Sequence, residues 1–152
     1  MAKPLLPAVH SAMSQAAAQG REAWKRGDIG AAERRFLEAW SALPEPKSEQ
    51  DYAQSLARGL VNFYRDTGQF EKARQWLGTM RELYLPGPNP SLDFLAGTVA
   101  FESGDLDSAL RLFRQVYLEF GERPFAGSDP KYLDFYRRRF GERGDPAPQD
   151  PR

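Results

Sequence analysis

The chain has 152 residues, 21 basic and 21 acidic side chains, and no cysteine. This length suits a single domain that buries its own core, and the balanced charge gives no reason to expect nucleic acid or an anionic membrane as a partner. Disulfides, thiolate metal sites and cysteine nucleophiles are excluded, and no apolar run approaches the ~20 residues of a membrane span, so a cytoplasmic protein is expected.

Prolines divide the chain into segments that are free to be helical, since a proline inside a helix costs about 3 kcal/mol. Between the prolines, apolar residues recur three and four positions apart, as on one face of a helix. Glycine-containing pairs interrupt this pattern at Gly27-Asp28, Thr67-Gly68 and Gly104-Asp105. Such pairs end one helix and allow the next to start, so each is predicted to be the turn of a helical hairpin.

In chain order, the first hairpin is expected from Ala8 to Leu43, the second from Leu56 to Leu83 and the third from Leu92 to Phe120. Beyond Gly121, Asp129 is expected to cap a further helix that has Pro130 at its first position. The polar residues 141–152, rich in Gly and Pro, are predicted to be a disordered tail.

The spacing of the turn glycines is close to that of a known repeat. Gly27, Gly68 and Gly104 are 41 and 36 positions apart, and tetratricopeptide repeats recur every 34 residues. The first hairpin resembles this family at Gly20, Gly27, Ala32, Phe36, Ala39 and Pro44, and the third at Gly97, Gly104, Ala109 and Phe113. The second departs from the family pattern at Val61, Leu77 and Met80.

The resemblance implies an all-α fold, a right-handed α-solenoid of three tetratricopeptide-like hairpins followed by a C-terminal capping helix. The repeats are expected at about 13–46, 54–87 and 90–123, with the capping helix at about 130–140, in a single domain spanning residues 1–140. Small residues would let paired helices approach closely, and Phe36 and Phe113 would fill the space between successive hairpins.

In this family, the first helices of the hairpins line a concave groove that binds peptides. The corresponding positions here are Arg21, Trp24, Lys25, Arg58, Asn62, Arg65, Phe94, Thr98 and Phe101. Arginine and lysine suit carboxylates and aromatic residues anchor interfaces, so an acidic or C-terminal peptide segment is the expected partner. The alternative is that Trp24, Phe94 and Phe101 pack against neighbouring helices or the chain ends.

The sequence offers no residues for catalysis, so the chain is not expected to be an enzyme or to use a cofactor or metal. The single histidine, His10, is near the N-terminus, so catalytic triads and histidine metal sites lack their parts. Motifs for hydrolases, zinc proteases and phosphate binding are missing. The run Arg137-Arg138-Arg139 is interpreted as a solvated part of the terminal helix rather than a nucleic-acid site, since acidic residues follow it closely.

Two alternatives remain within non-enzymatic function. Leu43-Pro44-Glu45-Pro46-Lys47, Pro88-Asn89-Pro90 and Asp129-Pro130-Lys131-Tyr132-Leu133 resemble segments of small bacterial repeat proteins that accompany polymorphic toxin systems, which would imply an immunity protein that neutralises a toxin. The other alternative is an assembly component whose exposed aromatic residues form a homodimer.

Overall fold

A computed structural model describes residues 5–50, 52–84 and 89–142 of the chain. These residues form α-helices and no β-strand, which confirms the all-α prediction for this part of the sequence. The α-helices are α1 (Pro7–Lys25), α2 (Ile29–Ala42), α3 (Ala53–Asp66), α4 (Phe70–Tyr84), α5 (Pro90–Glu102), α6 (Leu106–Phe120) and α7 (Lys131–Glu142). Short 3-10 helices occur at Lys47–Glu49 and Arg123–Phe125.

The chain divides into two compact units. Unit 1, Met1–Leu85, contains α1 to α4, and unit 2, Pro86–Arg152, contains α5 to α7. Within unit 1, α1 packs on α2, α3 packs on α4, and α2 also contacts α3. Within unit 2, α5 packs on α6, and the 3-10 helix Arg123–Phe125 contacts both of them.

The predicted turns are confirmed by their backbone geometry. Gly27, Gly68 and Gly104 adopt φ angles of +80°, +76° and +88°, in the left-handed region that glycine occupies without steric cost. After two of these turns an aspartate caps the next helix: a side-chain oxygen of Asp28 accepts from the Ala31 N–H at 3.1 Å, and one of Asp105 accepts from the Ser108 N–H at 3.2 Å. Each hairpin therefore has a local stop signal, and two have a local start signal.

In unit 1, a glycine and a phenylalanine determine how closely α1 and α2 pack. A Cβ atom added to Gly20 would lie only 2.7 Å from the Phe36 ring, so this position has no room for a side chain. Phe36 also contacts the second hairpin, with its ring centroid 5.2 Å from that of Phe63 on α3. The expected roles of Gly20 and Phe36 are thus confirmed.

The second hairpin uses a different pair of residues at the corresponding positions. Val61 and Leu77 take the places that Gly20 and Phe36 hold in the first hairpin, and both are buried. Met80, at the position of the second family alanine, is also buried. A medium-sized residue on each helix thus replaces the combination of a glycine and a large ring.

In unit 2, the chain returns over the α5–α6 hairpin. Gly97 repeats the first pattern, since a Cβ atom there would lie 2.5 Å from the Phe113 ring. The carboxylate of Asp129 accepts from the Lys131 N–H at 3.0 Å and caps α7, which begins at Lys131, one residue after the expected first position at Pro130. Tyr132 and Tyr136 of α7 are buried in one cluster with aromatic residues of α5, α6 and the preceding loop, namely Phe94, Phe113 and Phe125.

Parts of two predicted segments lie outside the described residues. Positions 143–152 of the expected tail lie outside the described residues. The first two positions of that tail belong to α7, which extends to Glu142 and so ends slightly later than expected. Positions 85–88, in the proline-rich segment before α5, also lie outside.

Candidate functional site

A cleft of about 430 Å³ opens in unit 1 between α1 and α3. Each helix contributes residues three or four positions apart, so a single face of each lines the cleft. The lining consists of Met13, Ser14, Ala17, Arg21, Trp24, Phe36, Tyr52, Ser55, Leu56, Gly59 and Asn62. Clefts of this volume are within the range that binds ligands or side chains of a partner.

The floor of the cleft is apolar and held in place by ring contacts. Trp24 meets Phe63 edge to face at a centroid distance of 5.1 Å, and it meets Phe36 at 6.2 Å. Such edge-to-face pairs are a favoured aromatic geometry. Met13 and Phe36 are buried, whereas Trp24 is half-buried and so presents part of its surface to the cleft.

The polar groups of the lining lie beside this apolar floor. Arg21 is exposed and Asn62 is half-buried. Neither side chain has a hydrogen-bond or ion-pair partner within the described ranges. A guanidinium group and an amide are thus available to a molecule that enters the cleft.

Tyr52 lies at one end of the cleft in an unusual backbone conformation. Its φ angle is +73°, in the left-handed region that residues with a side chain seldom occupy. Its side chain is 48% exposed, and its ring lies 5.3 Å from the ring of His10 on α1. Backbone strain of this kind costs about 1–3 kcal/mol and is concentrated at functional sites.

The residues predicted from the repeat pattern separate into two groups in unit 1. Arg21, Trp24 and Asn62 line the cleft. The other three do not line it: Lys25 is exposed and pairs with Glu22 at 3.6 Å, Arg58 is half-buried, and Arg65 pairs with Asp66 at 2.8 Å.

The three predicted residues of unit 2 do not form an open groove. Phe94 is buried, with its ring 4.9 Å from that of Phe125 and 6.0 Å from that of Tyr132. Thr98 is 1% exposed, and its hydroxyl donates to the Leu95 carbonyl at 2.7 Å. Phe101 is half-buried against Tyr132 and Phe135 of α7. Phe94 and Phe101 are covered by α7 and by the loop before it. Their surroundings therefore match the alternative expectation, in which these rings pack against neighbouring helices or the chain end.

Several cleft residues were not among the predicted site residues. Met13, Phe36 and Leu56 have the spacing of core residues, so their sequence pattern indicates burial and does not show that they border a cleft. Tyr52 follows a proline-containing linker and precedes α3, and no sequence signal predicts a left-handed tyrosine. Gly59 carried a signal, because a glycine inside a helix costs stability and suggests a special position.

A polar network joins the two hairpins of unit 1 beside the core. One carboxylate oxygen of Glu33 on α2 accepts from the Tyr64 hydroxyl on α3 at 2.8 Å and from Nζ of Lys72 on α4 at 2.8 Å. The hydrogen bond from Lys72, and after it that from Tyr64, lowers the pKa of Glu33. Burial, and after it the bond to Glu33, raises the pKa of Tyr64. The network stabilises the α1–α2 hairpin against α3 and α4, and so the position of the cleft walls.

Unit 2 contains a network of the same composition. A carboxylate oxygen of Glu102 accepts from the Tyr132 hydroxyl at 3.1 Å and pairs with Nζ of Lys131 at 2.5 Å. Here the glutamate is at the end of α5 and its partners begin α7. The network therefore fixes the start of α7 to α5.

Neither a metal site nor a membrane-spanning helix is found in the part of the chain that the structure describes. There, His, Asp and Glu side chains do not come together in groups of three that could hold a metal ion. None of the described helices is both long and apolar enough to cross a bilayer.

Comparison with known proteins gives no match for the chain. No family model matches the sequence, and no curated protein or solved structure is significantly similar to it. The tetratricopeptide resemblance accordingly stays a prediction from the residues named above.

Proposed function

We propose that the protein is a non-enzymatic interaction module that binds a segment of a partner polypeptide in the unit 1 cleft. The observation that carries this proposal is the combination of an apolar floor with unpaired polar groups, Arg21 and Asn62, on the lining of one cleft. We further propose that the hairpins form a right-handed solenoid of the tetratricopeptide type, in which this cleft is the part of the concave groove left open.

The chemistry of the lining indicates what kind of segment it binds. Trp24, Leu56 and Met13 provide apolar surface for one or two hydrophobic side chains. The Arg21 guanidinium provides a charged donor for a carboxylate, and the Asn62 amide can bond to a peptide backbone as both donor and acceptor. A peptide with an apolar side chain next to an acidic residue or a terminal carboxylate meets all of these groups.

Two glycines allow a matched test of the cleft. Gly59 lines the cleft, Gly78 lies on α4, and an added Cβ atom would meet nothing within 4 Å at either position. Both are exposed and inside helices, so replacing either with tryptophan should not lower stability. We expect Gly59→Trp to fill the cleft, whereas Gly78→Trp leaves it open.

The measurement is capture of polypeptides from native lysate, followed by the affinity of the captured partner for each variant. The proposal predicts that Gly78→Trp binds like the unaltered protein and that Gly59→Trp weakens binding about tenfold or more, the loss of roughly one anchoring side chain. Equal affinity of the two variants, with both folded by circular dichroism, would exclude the cleft as the binding site.

A further inference from the structure

A second pocket, of about 420 Å³, lies in unit 2 where the end of α5 meets α7. Its lining consists of Phe101, Lys131, Asp134, Phe135, Arg138 and Arg139. Two aromatic rings and four charged side chains thus surround one hollow. This pocket is separate from the unit 1 cleft and has no part in the proposed function.

The aromatic wall is built from Phe101 and Phe135, whose rings meet edge to face at 4.9 Å. Both residues are half-buried, so part of each ring faces the hollow. Lys131 lies over the Phe101 ring at 5.9 Å while pairing with Glu102. The wall therefore has a fixed shape and its lysine charge is already balanced.

The two arginines of the pocket are not balanced in this way. Within residues 5–50, 52–84 and 89–140, Arg138 and Arg139 have no ion-pair or hydrogen-bond partner. In addition, Nε of Arg139 is shielded from solvent without an acceptor. Because Nε is closed to a water-sized group, an acceptor that enters the pocket would have to bind the terminal nitrogens of the two arginines.

The charge of the lining limits what can bind. Lys131 is neutralised by Glu102, and the carboxylate of Asp134 offsets one of the two guanidinium groups. One positive charge remains, which matches a single carboxylate better than a doubly charged phosphate. A nucleic acid would need several phosphate contacts along a basic surface, whereas Arg137, the next basic residue along α7, is paired with Glu122.

We propose that this pocket binds one carboxylate of a peptide, held by Arg138 and Arg139, with an adjacent aromatic or aliphatic side chain packed on Phe101 and Phe135. A planar guanidinium binds a carboxylate through two parallel hydrogen bonds, and an apolar neighbour uses the ring surface that the charged groups leave free.

Fluorescence anisotropy with a labelled peptide of alternating Glu and Phe residues tests the proposal on the full chain. The matched variants are Arg138→Ala, which alters the pocket, and Arg137→Ala, which removes the same charge one position away on the same helix. We expect Arg138→Ala to weaken binding about tenfold and Arg137→Ala to change it less than about twofold. Arg139→Lys, which keeps the charge but removes the guanidinium, should also weaken binding.

Three further probes complete the test. Replacing every Glu of the peptide with Gln should abolish binding, and a phosphotyrosine peptide or a single-stranded oligonucleotide of equal length should bind more weakly. The proposal is overturned by equal effects of the two alanine variants, by tight binding of the Gln peptide, by preference for a phosphate-bearing probe, or by no binding of the Glu-Phe peptide.

The experiment is repeated in the Gly59→Trp background, so that the pocket is measured with the unit 1 cleft filled. If the affinities of Arg138→Ala and Arg137→Ala for the peptide still differ in this background, the peptide binds at the unit 2 pocket, whether or not the unit 1 proposal holds. A difference that disappears there would assign the peptide to the cleft and overturn the inference. Thermal melts of each variant verify that the chain remains folded.

Discussion

At the scale of single residues, packing of the first and third hairpins depends on pairing a glycine with a phenylalanine. Gly20 with Phe36 and Gly97 with Phe113 have the same spacing and the same close approach. Their surroundings differ, because Phe36 is at the edge of a cleft whereas Phe113 is fully buried among the rings of Phe94, Phe125 and Tyr132. A ring beside a cleft can shift, but a ring enclosed on all sides cannot.

This difference predicts that Gly97→Ala destabilises the protein more than Gly20→Ala. We expect a loss of about 1–3 kcal/mol in the free energy of unfolding for Gly97→Ala, since the added methyl group overpacks a rigid contact. The measurement is urea unfolding followed by circular dichroism. Gly78→Ala is the control, and it should stabilise the chain by about 0.5–1 kcal/mol because it restores helix propensity without a clash.

The second hairpin suggests how the overpacked variant can be rescued. Val61 and Leu77 occupy the corresponding positions there, so a larger residue on the first helix is accommodated by a smaller one on the second. Adding Phe113→Leu to Gly97→Ala should therefore cost less than the sum of the two single changes. Strict additivity in this double-mutant cycle would show that the two positions do not share the space between α5 and α6.

At the scale of elements, Glu33 connects α2 to α3 and α4 through Tyr64 and Lys72. Its pKa is lowered in the folded chain, so its contribution to stability is present at pH values above the unfolded pKa, near 4.5. This contribution is lost as the pH falls through the folded pKa. The network should therefore stabilise unit 1 at neutral pH and weaken in acid.

Glu33→Gln should lower the free energy of unfolding by roughly 1–2 kcal/mol at pH 7, since it removes a charged acceptor from two hydrogen bonds. The difference from the unaltered protein should shrink as the pH falls below about 4. Denaturant unfolding of both proteins at a series of pH values measures this difference in the free energy of unfolding. Glu38→Gln, which removes an exposed carboxylate paired with Arg35 on the same helix, should have little effect at any pH. A Glu33→Gln deficit that is independent of pH would contradict this account.

The sequence predicted local features of these elements well and long-range features less well. Turns at Gly27, Gly68 and Gly104 and caps at Asp28, Asp105 and Asp129 depend on residues close together in the chain, so their signals are readable directly. The covering of Phe94 depends on where α7 returns after the loop at Arg123–Phe125. That path is set by tertiary packing, and no local pattern around Phe94 encodes it.

The candidate site was predictable to a similar extent. The repeat pattern placed Arg21, Trp24 and Asn62 on one surface because residues three or four apart share a helix face. It could not separate them from Lys25 and Arg58, because Lys25 is four positions from Arg21 and Arg58 is four positions from Asn62, so they share the same helix faces. Only the packing of the helices decides which of these side chains reach the cleft. The left-handed Tyr52 and the unsatisfied Arg139 likewise depend on surroundings that only the folded chain provides.

At the scale of the whole molecule, an adaptor and a homo-oligomeric assembly component make different predictions. An adaptor does not associate with itself when its partner is absent. Its mass by light scattering should therefore equal that of one chain across a hundredfold range of concentration. A homodimeric component would approach twice that mass as the concentration rises. A dimer that persists on dilution would favour the assembly alternative over the proposed function.

The central claim is that a partner polypeptide occupies the cleft between α1 and α3. Its most direct test is photo-cross-linking in cells with p-benzoylphenylalanine in place of Gly59 or Gly78, two positions with equal space for the added side chain. We predict a specific cross-linked product at position 59, competed by excess unaltered protein, and no such product at position 78. The same products at both positions, or a product at position 78 alone, would contradict the claim.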